Sequence, residues 1–211
     1  MRDIGSLAEK DILEAIASLA TAAGLGWASG VRLYAVVFFL GLLQQFGIYA
    51  LPAELQSLGN PWVMAASGFM FAVEFLADKI PGIDSVWDAA HTFIRIPAGA
   101  LLAAAAVAGG DAGMGIAASI IGGVVAAGSH ITKASARALI NTSPEPISNW
   151  TASISEDALS IGAVWMALVF PLLMLVFLII FFVLAVWLLP KIWRGLKRVF
   201  SSIRQLLGNP A

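Results

Sequence analysis

The chain has 211 residues, 60% hydrophobic and 12% charged, with a formal net charge of −1, a mean hydropathy of +0.89 and no cysteine. That balance excludes an ordinary soluble domain, a broad basic surface for nucleic acid, a disulfide framework and cysteine-held metals. It predicts an all-α, polytopic helical membrane protein, with a transmembrane domain over residues 1–189 and a basic tail over 190–211.

Residues 1–11 are polar and lack the basic patch and apolar run of a signal peptide. Residues 12–30 are only moderately apolar and hold Glu14, so they read as a crossing or as an interfacial helix. This leaves about six spans, or five. Residues 31–51 supply about the 20 apolar positions a bilayer needs, with Arg32 at the edge. A loop with Pro52, Gly59, Asn60 and Pro61 leads to the next span, 62–80, whose last turns carry Glu74, Asp78 and Lys79.

Pro81-Gly82 ends that helix, and Asp84 is placed as the N-cap of a new one over 85–95, with Pro97 kinking rather than stopping it. The purely apolar part, 96–108, has 13 residues. At a rise of about 1.5 Å it covers only about 20 Å of a core about 30 Å thick. The helix must therefore recruit residues back to about Ala89, which puts His91 and Arg95 at membrane depth. The same count forward from Gly113 puts His130 and Lys133 near the boundary on that side. Gly99, Ala103, Ser119, Gly122, Gly123 and Ala126 supply the small side chains that let helices approach closely in lipid.

Residues 141–150 are rich in turn formers, with Pro144 and Pro146 expected to keep them from being helical. Glu156 and Asp157 then open the last span, where acids near a helix N-terminus are favourable. That span, 158–189, has 32 residues, so it tilts, kinks at Pro171 or emerges. Beyond Pro190, Ile192, Leu196, Val199, Ile203 and Leu206 mark one helical face, and Lys191, Arg194, Lys197, Arg198 and Arg204 occupy most of the other. This predicts an amphipathic interfacial helix drawn to anionic lipid headgroups, cytoplasmic by the positive-inside rule. With six spans both termini are cytoplasmic, and loops 81–95 and 139–156 share the other side.

Two charged stripes flank the turn Gly109-Gly110-Asp111-Ala112-Gly113. Asp84, Asp88, His91 and Arg95 form one, and His130, Lys133, Arg137 and Asn141 the other, each at helical spacing. Folded as a hairpin about Asp111, residues whose numbers sum to 221 share a height: His91 with His130, Asp88 with Lys133, Asp84 with Arg137. If the stripes meet, exchanging Asp88 and Lys133 is expected to recover the stability lost in either single reversal.

Ionisable groups at membrane depth cost a few kcal/mol each unless paired, so Glu74, Asp78, Lys79, Asp84, Asp88, His91, Arg95, His130, Lys133, Arg137, Glu156 and Asp157 are the candidate polar pathway or ion site. The alternative is a structural ion-pair lattice. Asp88, His91 and His130 are ligand types for zinc, but Lys133 and Arg95 would repel a cation; a histidine proton relay fits better, and metal dependence stays open. Ser143 or Thr142 beside Glu145 reads as loop capping rather than as a nucleophile. No cofactor motif is present.

The run from Glu74 through Asp78, Lys79, Pro81, Asp84, Trp87, Asp88 and His91 to Arg95, and again Asn141-Thr-Ser-Pro-Glu-Pro-Ile-Ser-Asn-Trp150, closely resembles a family of small bacterial membrane proteins known as domain of unknown function 4126. The likeness covers roughly residues 19–189 and leaves out the basic tail. It implies a bacterial multi-pass protein of the inner membrane, with no settled activity and no catalytic or binding residues to carry over. The expectation is a small channel or transporter for an ion, proton or small polar solute. The competing reading is a non-catalytic scaffold, as a monomer or an oligomer, that binds lipid or a partner; an enzyme acting on lipid headgroups comes third.

Overall fold

A computed structural model describes residues 4–142 and 146–207, with side chains over 9–142, 147–199 and at 201. Ser143 and Glu145, and the side chains of Ile203, Arg204 and Leu206, lie outside the described residues. The elements are α1 (Ile4–Gln45), a 3-10 turn (Ala53–Gly59), α2 (Pro61–Ala77), α3 (Ile83–Ala106), α4 (Ala112–Ile140), α5 (Pro146–Val169) and α6 (Pro171–Leu207). All regular structure among the described residues is helical, and five helices are long and apolar enough to cross a membrane. The protein is thus a polytopic helical membrane protein.

α1 joins what the sequence divides at Gly30–Arg32, but it does not run straight. Arg32 alone leaves helical geometry (φ −147°, ψ 77°), and the chain doubles back there. Thr21 donates a hydrogen bond to the Ala167 carbonyl (2.8 Å) and Tyr49 to the next carbonyl, Leu168 (2.9 Å), so residues on both sides of the corner return to one level of α5. A second corner lies between α5 and α6. Phe170 N donates to Met166 O (2.8 Å) and Met174 N to Phe170 O (3.0 Å), so one residue closes one helix and opens the next. Pro171 accounts for this, since its ring cannot follow a helical residue without losing a hydrogen bond and clashing.

Contacts fix the directions. Residues 4–31, α4 and α6 run one way: Gly26 lies against Gly122, the Trp27 carbonyl accepts from Ser129, Phe177 and Phe181 set their edges on Trp27 (centroids 4.9 and 5.2 Å), and Phe182 covers Gly128. α3 and α5 run the other way, with Gly99 against Ala126 and Arg32 beside Ser153. The apolar core lies where these helices converge, around Leu25, Val36, Leu40, Val164, Ala167 and Met174. Outward faces are apolar too, through Phe93, Leu101, Ile120, Leu173 and Val183.

Several expectations change. The run 158–189 is not one span but parts of two helices that reverse at Phe170. Consequently α6 rises toward the end that holds the Pro81–Gly82 turn, Gly195 packs beside Leu139, and the basic tail shares an end with loops expected opposite it. The tail is the continuation of α6 through Pro190, and its apolar face is closed against protein at Ile192 and Leu196 rather than free for lipid. α5 starts at Pro146, because proline is well suited to the first helical position even though it cannot continue a helix. Glu156 and Asp157 therefore sit mid-helix. α3 starts at Ile83 with Gly82 (φ +87°) as its cap, so Asp84 lies in the first turn, its Oδ1 accepting from Gly82 N (2.9 Å) and Ser85 N (2.7 Å).

Candidate functional site: a buried ion-pair network

The hairpin of α3 and α4 keeps the register that symmetry about Asp111 requires. Lys133 Nζ lies 3.3 Å from Asp88 Oδ1, Arg137 Nη1 4.0 Å from Asp84 Oδ2, and Gly99 meets Gly122. Glycine is required for this approach, because a Cβ at Gly122 would fall 2.2 Å from that of Ala103 and 2.8 Å from the Gly99 carbonyl. α1 joins from the side, where a Cβ at Gly30 would fall 2.1 Å from Ser129 Oγ. Gly26 and Gly30 belong to the same small-residue seam as Gly99, Gly122 and Ala126, whereas Gly123 and Ser119 stand aside from it.

Within this frame the charged side chains form one connected path. At its outer rim Asn141 Nδ2 donates to both Asp84 oxygens (2.8 and 2.9 Å), and Arg137 donates through Nε and Nη2 to the two oxygens of Glu156 (each 2.8 Å) and through Nη1 to Asn149 Oδ1 (3.2 Å). Next, Lys133 Nζ is held by Asp78 Oδ2 (3.1 Å), Asp88 Oδ1 (3.3 Å), Glu156 Oε2 (3.5 Å) and the Val31 carbonyl (3.2 Å). Arg32 pairs with Asp78 (2.5 Å), Asp157 (2.9 Å) and Glu156 (3.4 Å). Deepest, Arg95 donates to Asp88 Oδ1 (2.7 Å) and, in a short contact, to Glu74 Oε1. From Asp84 to Glu74, acid and base alternate.

Arg32, Arg95, Arg137, Glu74, Asp78 and Asp84 are fully enclosed. Five buried carboxylates (Glu74, Asp78, Asp84, Asp88, Asp157) and the part-exposed Glu156 face four buried basic groups (Arg32, Arg95, Lys133, Arg137), and Glu74 Oε2, Asp78 Oδ1 and Asp88 Oδ2 have no hydrogen-bond partner among the described residues. Lys79 stands at the rim, half-buried. It donates to the Phe75 carbonyl (3.1 Å) and Ser153 Oγ (3.4 Å), with its ammonium over the Phe75 ring. Burial pushes it below the usual lysine range, with Arg32 and Arg137 adding to the effect and Asp157 and Asp78 opposing it.

The histidines are at one level but do not bond to each other. His91 Nδ1 lies 2.8 Å from the Trp87 carbonyl, which can only accept, so Nδ1 carries the hydrogen and Nε2 takes the Tyr34 hydroxyl (3.1 Å). His130 Nδ1 faces the Arg95 guanidinium (3.1 Å), which can only donate, and Nε2 faces Thr92 Oγ1 (2.8 Å), whose own hydrogen goes to Asp88 O. The guanidinium leaves His130 Nδ1 as the acceptor and puts that ring's hydrogen on Nε2, and a direct histidine-to-histidine relay is not what the geometry builds. Thr142 Oγ1 caps the Leu139 carbonyl (2.7 Å), as loop capping requires.

The network takes in Glu74, Asp78, Asp84, Asp88, Arg95, Lys133, Arg137, Glu156 and Asp157, with His130 bonded to Arg95, Lys79 at the rim and His91 to one side. Sequence reasoning missed Arg32 and Asn149. A signal for Arg32 existed: a lone arginine within an apolar run is as costly as Arg95 unless paired. Lys191, Arg194 and Lys197 are exposed on α6, apart from the ion pairs described above. The run from Glu74 to Arg95, where α2 hands the chain to α3, supplies Glu74, Asp78, Asp84, Asp88 and Arg95, and Asn141 and Asn149 stand at the rim, while Arg32, Lys133, Arg137, Glu156 and Asp157 come from α1, α4 and α5. A family model described as domain of unknown function (DUF4126) matches residues 19–191, which cover the whole network. The chain belongs to this family. No curated protein and no solved structure matches it.

Proposed function

We propose that this DUF4126 protein is a small membrane transporter or channel that passes a monovalent cation or a proton along the buried network. The observation that carries this reading is a surplus of carboxylate: five buried acids (Glu74, Asp78, Asp84, Asp88, Asp157) against four buried bases, with Glu156 and Lys79 adding one charge of each sign at the rim, and with oxygens of Glu74, Asp78 and Asp88 that have no hydrogen-bond partner among the described residues. A lattice whose only task is to hold helices together gains nothing from a buried carboxylate in excess of its bases or from buried oxygens without a hydrogen bond, each of which costs free energy. A site that handles positive charge needs them.

Reconstituted in liposomes with pH- and potassium-sensitive dyes, the native protein is expected to dissipate a cation or proton gradient. Asp88→Asn is expected to slow that flux at least about tenfold while the protein still folds, since a step worth about 1.4 kcal/mol is a factor of ten. Absence of flux under every gradient would sink the proposal. It would leave the scaffold reading, which one specific observation favours: the ion pairs tie together α1, α2, α3, α4 and α5.

The exposed bases of α6 (Lys191, Arg194 and Lys197) complete the proposal as a surface for anionic headgroups on the cytoplasmic face. Because α6 ends beside α4, the rim of the network then opens toward the cytoplasm of a bacterial cell.

A further inference from the structure

Lys133 is held unlike the other cations of the network. Its ammonium sits among four oxygens on four different elements: Asp78 Oδ2 after α2, Asp88 Oδ1 on α3, Glu156 Oε2 on α5 and the Val31 carbonyl on α1. The last of these is present because Arg32 abandons helical geometry, which leaves the carbonyl end of residues 4–31 without its intrahelical partners. A helix C-terminus carries partial negative charge, so this backbone oxygen adds to the field of the three acids. Lys133 arrives on the tip of a flexible stem, and a lysine ammonium is a compact point charge rather than a planar fork.

The acids of the cage already hold positive charge besides Lys133: Asp78 pairs with Arg32 and Arg137, Asp88 with Arg95, and Glu156 with Arg32 and Arg137. Asp78 Oδ1 and Asp88 Oδ2, on residues 0% and 1% exposed, still have no hydrogen-bond partner among the described residues. Oxygens at 3.1–3.5 Å from the ammonium stand too far out for magnesium or calcium, whose oxygen ligands lie at about 2.0–2.6 Å. They suit an ion of ammonium size. Glu156, whose side chain is 15% exposed, is the one member of the cage that reaches the rim.

The geometry points to Lys133 as a tethered occupant of a monovalent-cation site, formed by Asp78, Asp88, Glu156 and the Val31 carbonyl, that a free potassium or ammonium ion takes when Lys133 withdraws. This rests on the proposed cation path for its biological use, though the site itself does not require transport. Lys133 then acts as the gate. While it is seated, the path from Asp84 to Glu74 is closed by covalently attached charge, and ion entry past Glu156 requires the stem to swing away.

The test is binding, in detergent, without any gradient. Lys133→Ala and Lys133→Gln, the second keeping most of the stem volume, are melted in potassium, ammonium or N-methylglucamine chloride at equal ionic strength. Either variant is expected to melt at least about 4 °C higher in potassium or ammonium than in N-methylglucamine, as binding to the folded state alone requires. The native protein is expected to show no such difference, and adding Asp88→Asn to the variants is expected to remove it. Equal melting of both variants in all three salts, or equal failure to fold in all three, overturns the proposal. Cation-dependent melting without flux in liposomes would keep this site and remove the transporter reading instead.

Discussion

Asp88 and Lys133 each have more than one partner, and this alters what a charge exchange does. Asp88 is shared with Arg95, and Lys133 with Asp78 and Glu156. Asp88→Lys combined with Lys133→Asp would therefore set lysine against Arg95 and aspartate against two acids. The exchange is expected to stay at least as unstable as either single reversal, although the stripes do meet as the hairpin register implies. Neutral variants are the informative pair. Asp88→Asn and Lys133→Met are each expected to cost up to about 3–5 kcal/mol, because each removes one member of buried ion pairs whose other members stay behind. The double variant is expected to fall short of the sum by about 1–3 kcal/mol in detergent-mediated unfolding. Strict additivity would mean that the two groups do not interact.

At the scale of helices, the seam of small residues decides how close the charges come. Gly30→Ala and Gly122→Ala force a methyl group into backbone and side-chain atoms 2.1–2.3 Å away, and each is expected to destabilise by about 1–3 kcal/mol. Gly162→Ala, in α5 with no atom within 4 Å of the added carbon, is expected to be neutral or to stabilise by up to about 1 kcal/mol through helix propensity alone. Thermal melting of the three variants checks the contrast. The α3–α4 hairpin was legible in the sequence because its stripes, its glycine turn and its small residues are all local and agree with one another. The α5–α6 corner was not. The chain is apolar on both sides of Phe170, so an apolar run that reverses reads like one that continues, and Pro171 reads equally as a kink. Arg32 hid for a related reason: its partners Asp78, Glu156 and Asp157 are distant in sequence, and no helical spacing links them to it.

For the molecule as a whole, the two corners add reversals, so the described chain begins and finishes at opposite ends of the bundle. The absence of cysteine makes single introduced thiols clean reporters. Ile83→Cys and Lys197→Cys, at exposed positions at the network end, are expected to react with a membrane-impermeant maleimide from the same side of the membrane. Asp111→Cys, at the turn between α3 and α4, is expected to react only from the other. Labelling of Lys197→Cys from the side of Asp111→Cys would overturn the arrangement of α6.

The corner at Arg32 also has a consequence in time. Every acid that holds this arginine is made after it: Asp78 first, then Glu156 and Asp157. A growing chain must therefore deliver the guanidinium toward the membrane before it has a counter-charge, at a cost bounded by the roughly 2.5–3.5 kcal/mol of an arginine at the centre of an inserting helix. The debt is first relieved when α2 emerges and is cleared only with α5. α1 is thus among the last of these helices to be seated, and the ribosome has passed residue 157 before its corner is complete.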